Sequence, residues 1–112
     1  MPYQEARLDQ VFRALADPTR RAVLARLCQG PTSTTELAKP FRMALPSFTQ
    51  HLGVLEECGL VRSRKQGRVR TYELGPKPLE AAESWIAQQR SMWQKRLDQL
   101  DDYLERLKEQ EP

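Results

Sequence analysis

Leu79, Ile86, Trp93, Leu100 and Leu107 recur at intervals of seven, and Ala82, Trp85, Leu97 and Leu104 widen the same stripe. Apolar residues at that spacing lie along one side of a helix. A helix of about 30 residues is predicted here, roughly 45 Å long at 1.5 Å per residue. The chain has 112 residues, enough for one small domain with an element or two to spare. Such a domain cannot cover so long a helix by itself, so the stripe requires a partner helix, most economically the same helix from a second copy. The two tryptophans are read as part of that dimer core rather than as the lining of a ligand pocket.

The rest of the chain is organised around Leu45 to Gly59, LPSFTQHLGVLEECG. Leu45, Phe48, Leu52, Leu55 and Cys58 fall at helical spacing and predict one apolar face, while Ser47, Thr49, Gln50 and His51 occupy the other. Pro46 suits a first helical turn and Gly59 suits a helix end. An uncharged face of donors and acceptors suits base edges in a major groove. Directly after it, Leu60 to Leu74 reads as a basic β-hairpin turning around Gln66-Gly67. Five of the nine residues from Arg62 to Arg70 are Lys or Arg, with no acid among them. Alternation of Arg62, Arg64, Arg68, Arg70 and Tyr72 with Val61, Ser63, Lys65, Val69, Thr71 and Glu73 is expected to gather basic side chains together.

Upstream, Leu8, Val11, Phe12 and Leu15 predict a short amphipathic helix. Asp17 and Pro18 are expected to cap and start a second, which buries Val23, Leu24 and Leu27 and keeps Arg20, Arg21 and Arg26 wet. Thr34-Thr35-Glu36-Leu37-Ala38 reads as the N-terminus of a third, capped by a hydroxyl and running towards Phe41, with Pro40 interrupting it. Arg42 to Ala44 then make the short link of a helix-turn-helix. The net charge is only +3, but residues 1–76 carry 12 Lys and Arg against 7 Asp and Glu, whereas residues 77–112 carry 6 against 8. The basic excess therefore lies with the presumed reader.

Phe12 to Arg21 (FRALADPTRR), Thr35 to Ala38, Gln50 to Val61 (QHLGVLEECGLV) and Gly67 to Tyr72 (GRVRTY) are similar to blocks of the ArsR (arsenical-resistance-repressor-like) family of winged helix-turn-helix regulators. The resemblance runs from about Leu8 to Leu74. It implies a mainly α fold with a small β-hairpin, homodimeric through its first and long last helices. Residues 1–77 would form the DNA-binding domain and residues 78–112 a dimerisation helix packed on the same domain. The dimer interface expected comprises Leu8, Val11, Phe12, Leu79, Ala82, Ile86, Trp93, Leu97, Leu100 and Leu104. The function implied is autoregulatory repression by binding an inverted-repeat operator in double-stranded DNA.

Carried onto this chain, the groove-reading positions are Pro46, Ser47, Thr49 and Gln50, and the wing is Lys65, Gln66, Gly67 and Arg68. From the residues themselves, Arg64 and Arg70 join them as phosphate contacts, His51 as a DNA contact or a residue packing the helix, and Thr34 and Thr35 as phosphate contacts or helix caps. Metal-sensing members carry a cysteine pair where this chain has Ser33 and Thr35, which bind a soft ion poorly. The last helix has no histidine for the other common metal site. No metal or other cofactor is therefore expected, and the inducer stays unidentified.

Cys28 and Cys58 match no zinc or redox spacing and are read as buried structural thiols, with a thiol- or small-molecule-responsive repressor as the alternative. A second alternative is a protein-interaction adaptor acting through the last helix. One histidine, no glycine-rich phosphate loop and no paired acids leave no catalytic constellation. No apolar run approaches a membrane span, and the first residues lack a signal-peptide core. Reduced thiols and a cytoplasmic location follow as expectations.

Overall fold

Asp17 extends at φ −102°, ψ 131° and accepts the backbone N–H of Arg20 through its carboxylate, and Pro18 follows with a φ already helical. This cap separates α1 (Pro2–Leu15) from α2 (Pro18–Leu27). The computed structural model describes residues 2–111, with side chains from residue 7 onward. Positions 1 and 112, the outer ends of the two expected domain ranges, lie outside the described residues.

Beyond Gly30, a two-residue strand β1 (Thr32–Ser33) leads into α3 (Thr34–Ala38), whose cap is the Ser33 hydroxyl accepting the Glu36 N–H at 3.2 Å. The helix stops at Ala38, short of Phe41, because Pro40 has no N–H to continue it. Phe41 instead stacks at a tilt on Phe48, ring centres 5.2 Å apart, and so anchors the link to α4 (Leu45–Glu57). The chain closes with β2 (Val61–Gln66), β3 (Val69–Leu74) and α5 (Pro76–Glu109). The sheet is antiparallel in the order β1-β3-β2, so the expected hairpin gains a third strand too short to have left a pattern in the sequence.

One core joins Val11 and Ala14 of α1, Val23, Leu24 and Leu27 of α2, Leu37 of α3 and Phe48, Leu52 and Leu55 of α4 with Leu60, Val61, Tyr72 and Ala82. Three expectations need correcting against it. Leu45 is 57% exposed: at the first position of α4 its side chain projects from the helix end rather than over the core. Val11 and Ala82, expected on a dimer face, have their apolar surface consumed inside the protomer, each at 2% exposure. Cys28 is exposed at the C-cap of α2, while Cys58 is buried as expected.

The chain divides into two compact units, Met1–Ala82 and Glu83–Pro112. The first contains the core and the first turns of α5. The second is the remainder of that helix, where Trp85, Ile86, Trp93, Leu97, Leu100, Leu104 and Leu107 are each 42–68% exposed. The helix has 34 residues, about 51 Å by its rise.

Two glycines stand at the joints on either side of the hairpin, Gly59 before β2 and Gly75 after β3. Gly59 ends α4 at φ +79°, and a Cβ on Gly75 would lie 2.2 Å from the Gly59 carbonyl oxygen, where Gly75 donates its N–H to Leu60 at 2.8 Å. Gly75→Ala is expected to lower unfolding free energy by about 1–3 kcal/mol in urea titrations, because backbone on both sides must shift. Gly53→Ala, inside α4 with open space around the new methyl, should instead stabilise by about 0.5–1 kcal/mol.

Candidate nucleic-acid interface

The polar side of α4 is decided by the burial of its other side. With Phe48, Leu52 and Leu55 at 0–1% exposure, Pro46, Ser47, Thr49 and Gln50 are left outside, and no acid occupies the first turn. The N-cap, Ala44, makes no side-chain hydrogen bond, so the first N–H groups of the helix lack a capping acceptor from it. Thr49 donates its hydroxyl to the Pro46 carbonyl at 3.0 Å. It therefore presents lone pairs and a methyl to a ligand rather than a free O–H. The expected readers are brought together on one exposed face, with His51 at its half-buried edge.

The wing differs from expectation in its register. Gln66 pairs with Val69, so Gly67 and Arg68 are the two turn residues, Gly67 at φ +62° as a two-residue hairpin with glycine in first place requires. Arg62 then faces Glu73, and Arg64 faces Thr71, while Ser63 pairs with Tyr72 and Lys65 with Arg70. The basic residues are thus divided between the two faces of the hairpin instead of sharing one. On the outer face Arg62 lies 3.6 Å from Glu73, and Arg62, Arg64, Gln66, Thr71 and Glu73 line a shallow hollow of about 390 Å³ together with Ser63. Lys65 and Arg68 remain exposed at the wing tip.

On the inner face Arg70 is exposed and is hydrogen-bonded within the protein. Its Nη1 donates to Ser63 Oγ at 2.8 Å, and Ser63 donates to Glu56 Oε1 at 2.6 Å, which ties the wing to the last turn of α4. Thr34, expected at a phosphate, donates its hydroxyl to the Arg70 carbonyl at 3.4 Å and touches the Tyr72 hydroxyl. Thr35 is exposed beside it. Burial, with the Glu56 charge behind it, raises the Tyr72 pKa above its ordinary value.

Arg20 is a second departure. Rather than lying in water, it donates Nε to the Ala14 carbonyl at 2.7 Å and Nη2 to the Arg13 carbonyl at 3.1 Å, while Nη1 stands 3.0 Å from His51 Nδ1. Asp17 Oδ2 is 3.7 Å from the same ring nitrogen. Burial works to raise the Asp17 pKa, but the Arg20 N–H and the neighbouring His51 and Arg20 charges outweigh it and leave it below the usual carboxylate value. Arg20, Glu56, Ser63 and Tyr72 were not among the residues singled out from sequence. Placing the turn at Gly67-Arg68 would have found the Ser63–Tyr72 and Lys65–Arg70 pairs; no local signal marks Arg20 or Glu56.

Among the described residues no three His, Cys, Asp or Glu side chains cluster as metal ligands would. Ser33, at one position where a thiolate pair would hold a soft ion, spends its oxygen on the α3 cap. The donor set does not fit such a metal. No helix among the described residues is long and apolar enough to cross a membrane.

Three helices, a helical reader and a two-stranded wing on one core define a winged helix-turn-helix protein. Residues 15–64 match the family model described as a helix-turn-helix domain. Over 73 residues the chain is 44% identical to the HTH-type transcriptional regulator Rv2034 of Mycobacterium tuberculosis, covering 65% of this chain and 68% of that one. It is 35% identical over 86 residues to the arsenical resistance operon repressor of Escherichia coli, covering 71% and 74%. A crystal structure of the ArsR family transcriptional regulator RHA00566 superposes with a TM-score of 0.77 at 53% identity, over 84% of this chain and 94% of that one. The chain belongs to the ArsR family, and is a DNA-binding transcriptional repressor rather than an enzyme.

The Tyr72 shift has a defined sign. A phenol whose pKa is raised by folding holds its proton longer in the native state, so its contribution is complete below its unfolded value of about 10 and is lost as pH rises through the folded one. Urea titrations between pH 9 and 11 should show stability falling less steeply for Tyr72→Phe than for the wild type.

Proposed function

We propose that the chain represses as a cytoplasmic homodimer, placing one α4 in each of two successive major grooves of an inverted-repeat operator without a metal cofactor. The observation that carries this reading is the exposed, acid-free face of α4 bearing Pro46, Ser47, Thr49 and Gln50 on the same small core as an exposed cationic wing tip. Ser47 and Gln50 offer donors and acceptors to base edges; Lys65 and Arg68 supply charge to phosphate or to a minor groove. Arg64 contributes from the outer face of the wing. Autoregulation is the simplest arrangement for such a repressor, and the lack of a thiolate pair at Ser33 and Thr35 argues for a signal other than a soft metal.

The dimer follows from the stripe on α5. A contiguous apolar surface of this size on a monomer marks an interaction face, and Ile86, Trp93, Leu97, Leu100 and Leu104 repeat at the spacing of a helix seam. With Val11 and Ala82 consumed by the protomer core, the interface falls to these residues with Leu79, Leu8 and Phe12. Recognition helices related by a two-fold axis would then contact half-sites about 34 Å apart along the duplex.

The DNA reading is tested with duplexes enriched from a random-sequence library. Gln50→Ala should reduce discrimination between the enriched duplex and a scrambled one by about 10-fold, whereas Arg68→Ala should weaken both alike. If Arg64, Lys65 and Arg68 of both protomers each neutralise a phosphate, log affinity should fall against log salt with a slope of about −5; a slope near zero would sink the reading. An adaptor acting through α5 alone would leave DNA binding unmeasurable and both variants indistinguishable from wild type. Sedimentation at micromolar concentration should give the mass of two chains, and replacing Trp93 and Leu100 with glutamate should give the mass of one.

A further inference from the structure

His51 is the chain's single histidine, and it is held by a residue that can only donate. The Arg20 guanidinium has five N–H donors and no acceptor, so the 3.0 Å contact from Nη1 requires a lone pair on His51 Nδ1. In the neutral ring the proton then sits on Nε2. Arg20 cannot readily swing away, since its Nε and Nη2 are bonded to the Ala14 and Arg13 carbonyls at the end of α1. The Ala14 carbonyl is one that a helix terminus leaves without a helical partner, and the Arg13 carbonyl also accepts the Ala16 N–H at 3.2 Å. One side chain thus ties the end of α1 and the start of α2 to the middle of α4.

We infer that Arg20 is a positioning residue that locks His51 into the Nε2–H tautomer, making His51 a fixed hydrogen-bond donor to a DNA phosphate oxygen. The inference rests on the groove-reading role of α4. The opposite tautomer would turn a lone pair towards the phosphate and repel it. Phosphate is favoured over a base edge by position. The first residues of a recognition helix meet the bases, whereas His51 lies one turn beyond Ser47, with its side chain 24% exposed at the edge of the reading face, against the α1–α2 junction.

Because no other histidine is present, the imidazole can be read without assignment ambiguity. Long-range 1H–15N correlation of the free protein, at a pH where the ring is neutral, should show the Nε2–H tautomer, and Arg20→Met should give a mixture. On the duplex enriched from a random library, His51→Ala should lose about 10-fold in affinity, and lose as much on a scrambled duplex. His51→Gln, which keeps one acceptor and one donor on a planar group, should stay within about 3-fold of wild type. A scan of single methylphosphonates should find one position per half-site that weakens the wild type but not His51→Ala. An Nδ1–H tautomer in the wild type, unchanged affinity in His51→Ala, or a coupling found with 7-deazaguanine instead of a methylphosphonate would each overturn the inference. Failure of the wild type to enrich or bind any duplex would instead overturn the DNA-binding reading itself. Far-ultraviolet circular dichroism guards against misfolding of Arg20→Met; the His51 variants carry the DNA test independently of it.

Discussion

Everything this protein presents to a partner depends on the seating of α4 by Phe48, Leu52 and Leu55. Each of these buried side chains contributes roughly 1.5–3 kcal/mol by leaving water. Together they set the rotation of the helix about its axis. A rotation of one residue, about 100° in a helix of 3.6 residues per turn, would exchange the polar face for part of the apolar one. The recognition face is therefore a consequence of core packing, and Ser47, Thr49 and Gln50 are exposed because their neighbours at the complementary spacing are not.

Two polar clusters refine what packing begins. Arg20 binds the α1 terminus to His51 on one flank of α4, and Glu56 binds its last turn through Ser63 to Arg70 in the wing. Hydrogen bonds with one charged partner are stronger than neutral ones, and these join separate elements of the fold. They give reader and wing a common frame, in which Arg70 and Thr34 also take part through hydrogen bonds within the protein.

The α5 stripe has a different logic. Its apolar residues exceed what the first unit of the chain can use, since only Ala82 from this helix reaches the core. A repeat of seven kept over four intervals is the pattern of a seam between helices that wind around each other. The same helix separates two tasks: its first turns complete the core, and its remainder carries a surface fit for a second chain.

Much of this was legible in the residues themselves. Periodicity placed α2, α4, the hairpin and α5, because apolar spacing reflects burial, and Asp17-Pro18 marked a helix start through chemistry confined to four residues. The exposed polar face of α4 was equally local, since it is the complement of the buried one. Leu45, the two faces of the wing and the fates of Arg20, Arg70, Thr34, Val11 and Ala82 were not. A strand pair slipped by one residue inverts every side chain, and only the pairing of Gln66 with Val69 shows which basic residues point together. Arg20 and His51 are 31 residues apart in sequence, too far for a local pattern to signal their contact. Short-range periodicity was enough to mark α4 as a helix with an uncharged polar face, whereas the hydrogen bonds of Arg20 and Arg70, which join separate elements, came into being only when the chain folded.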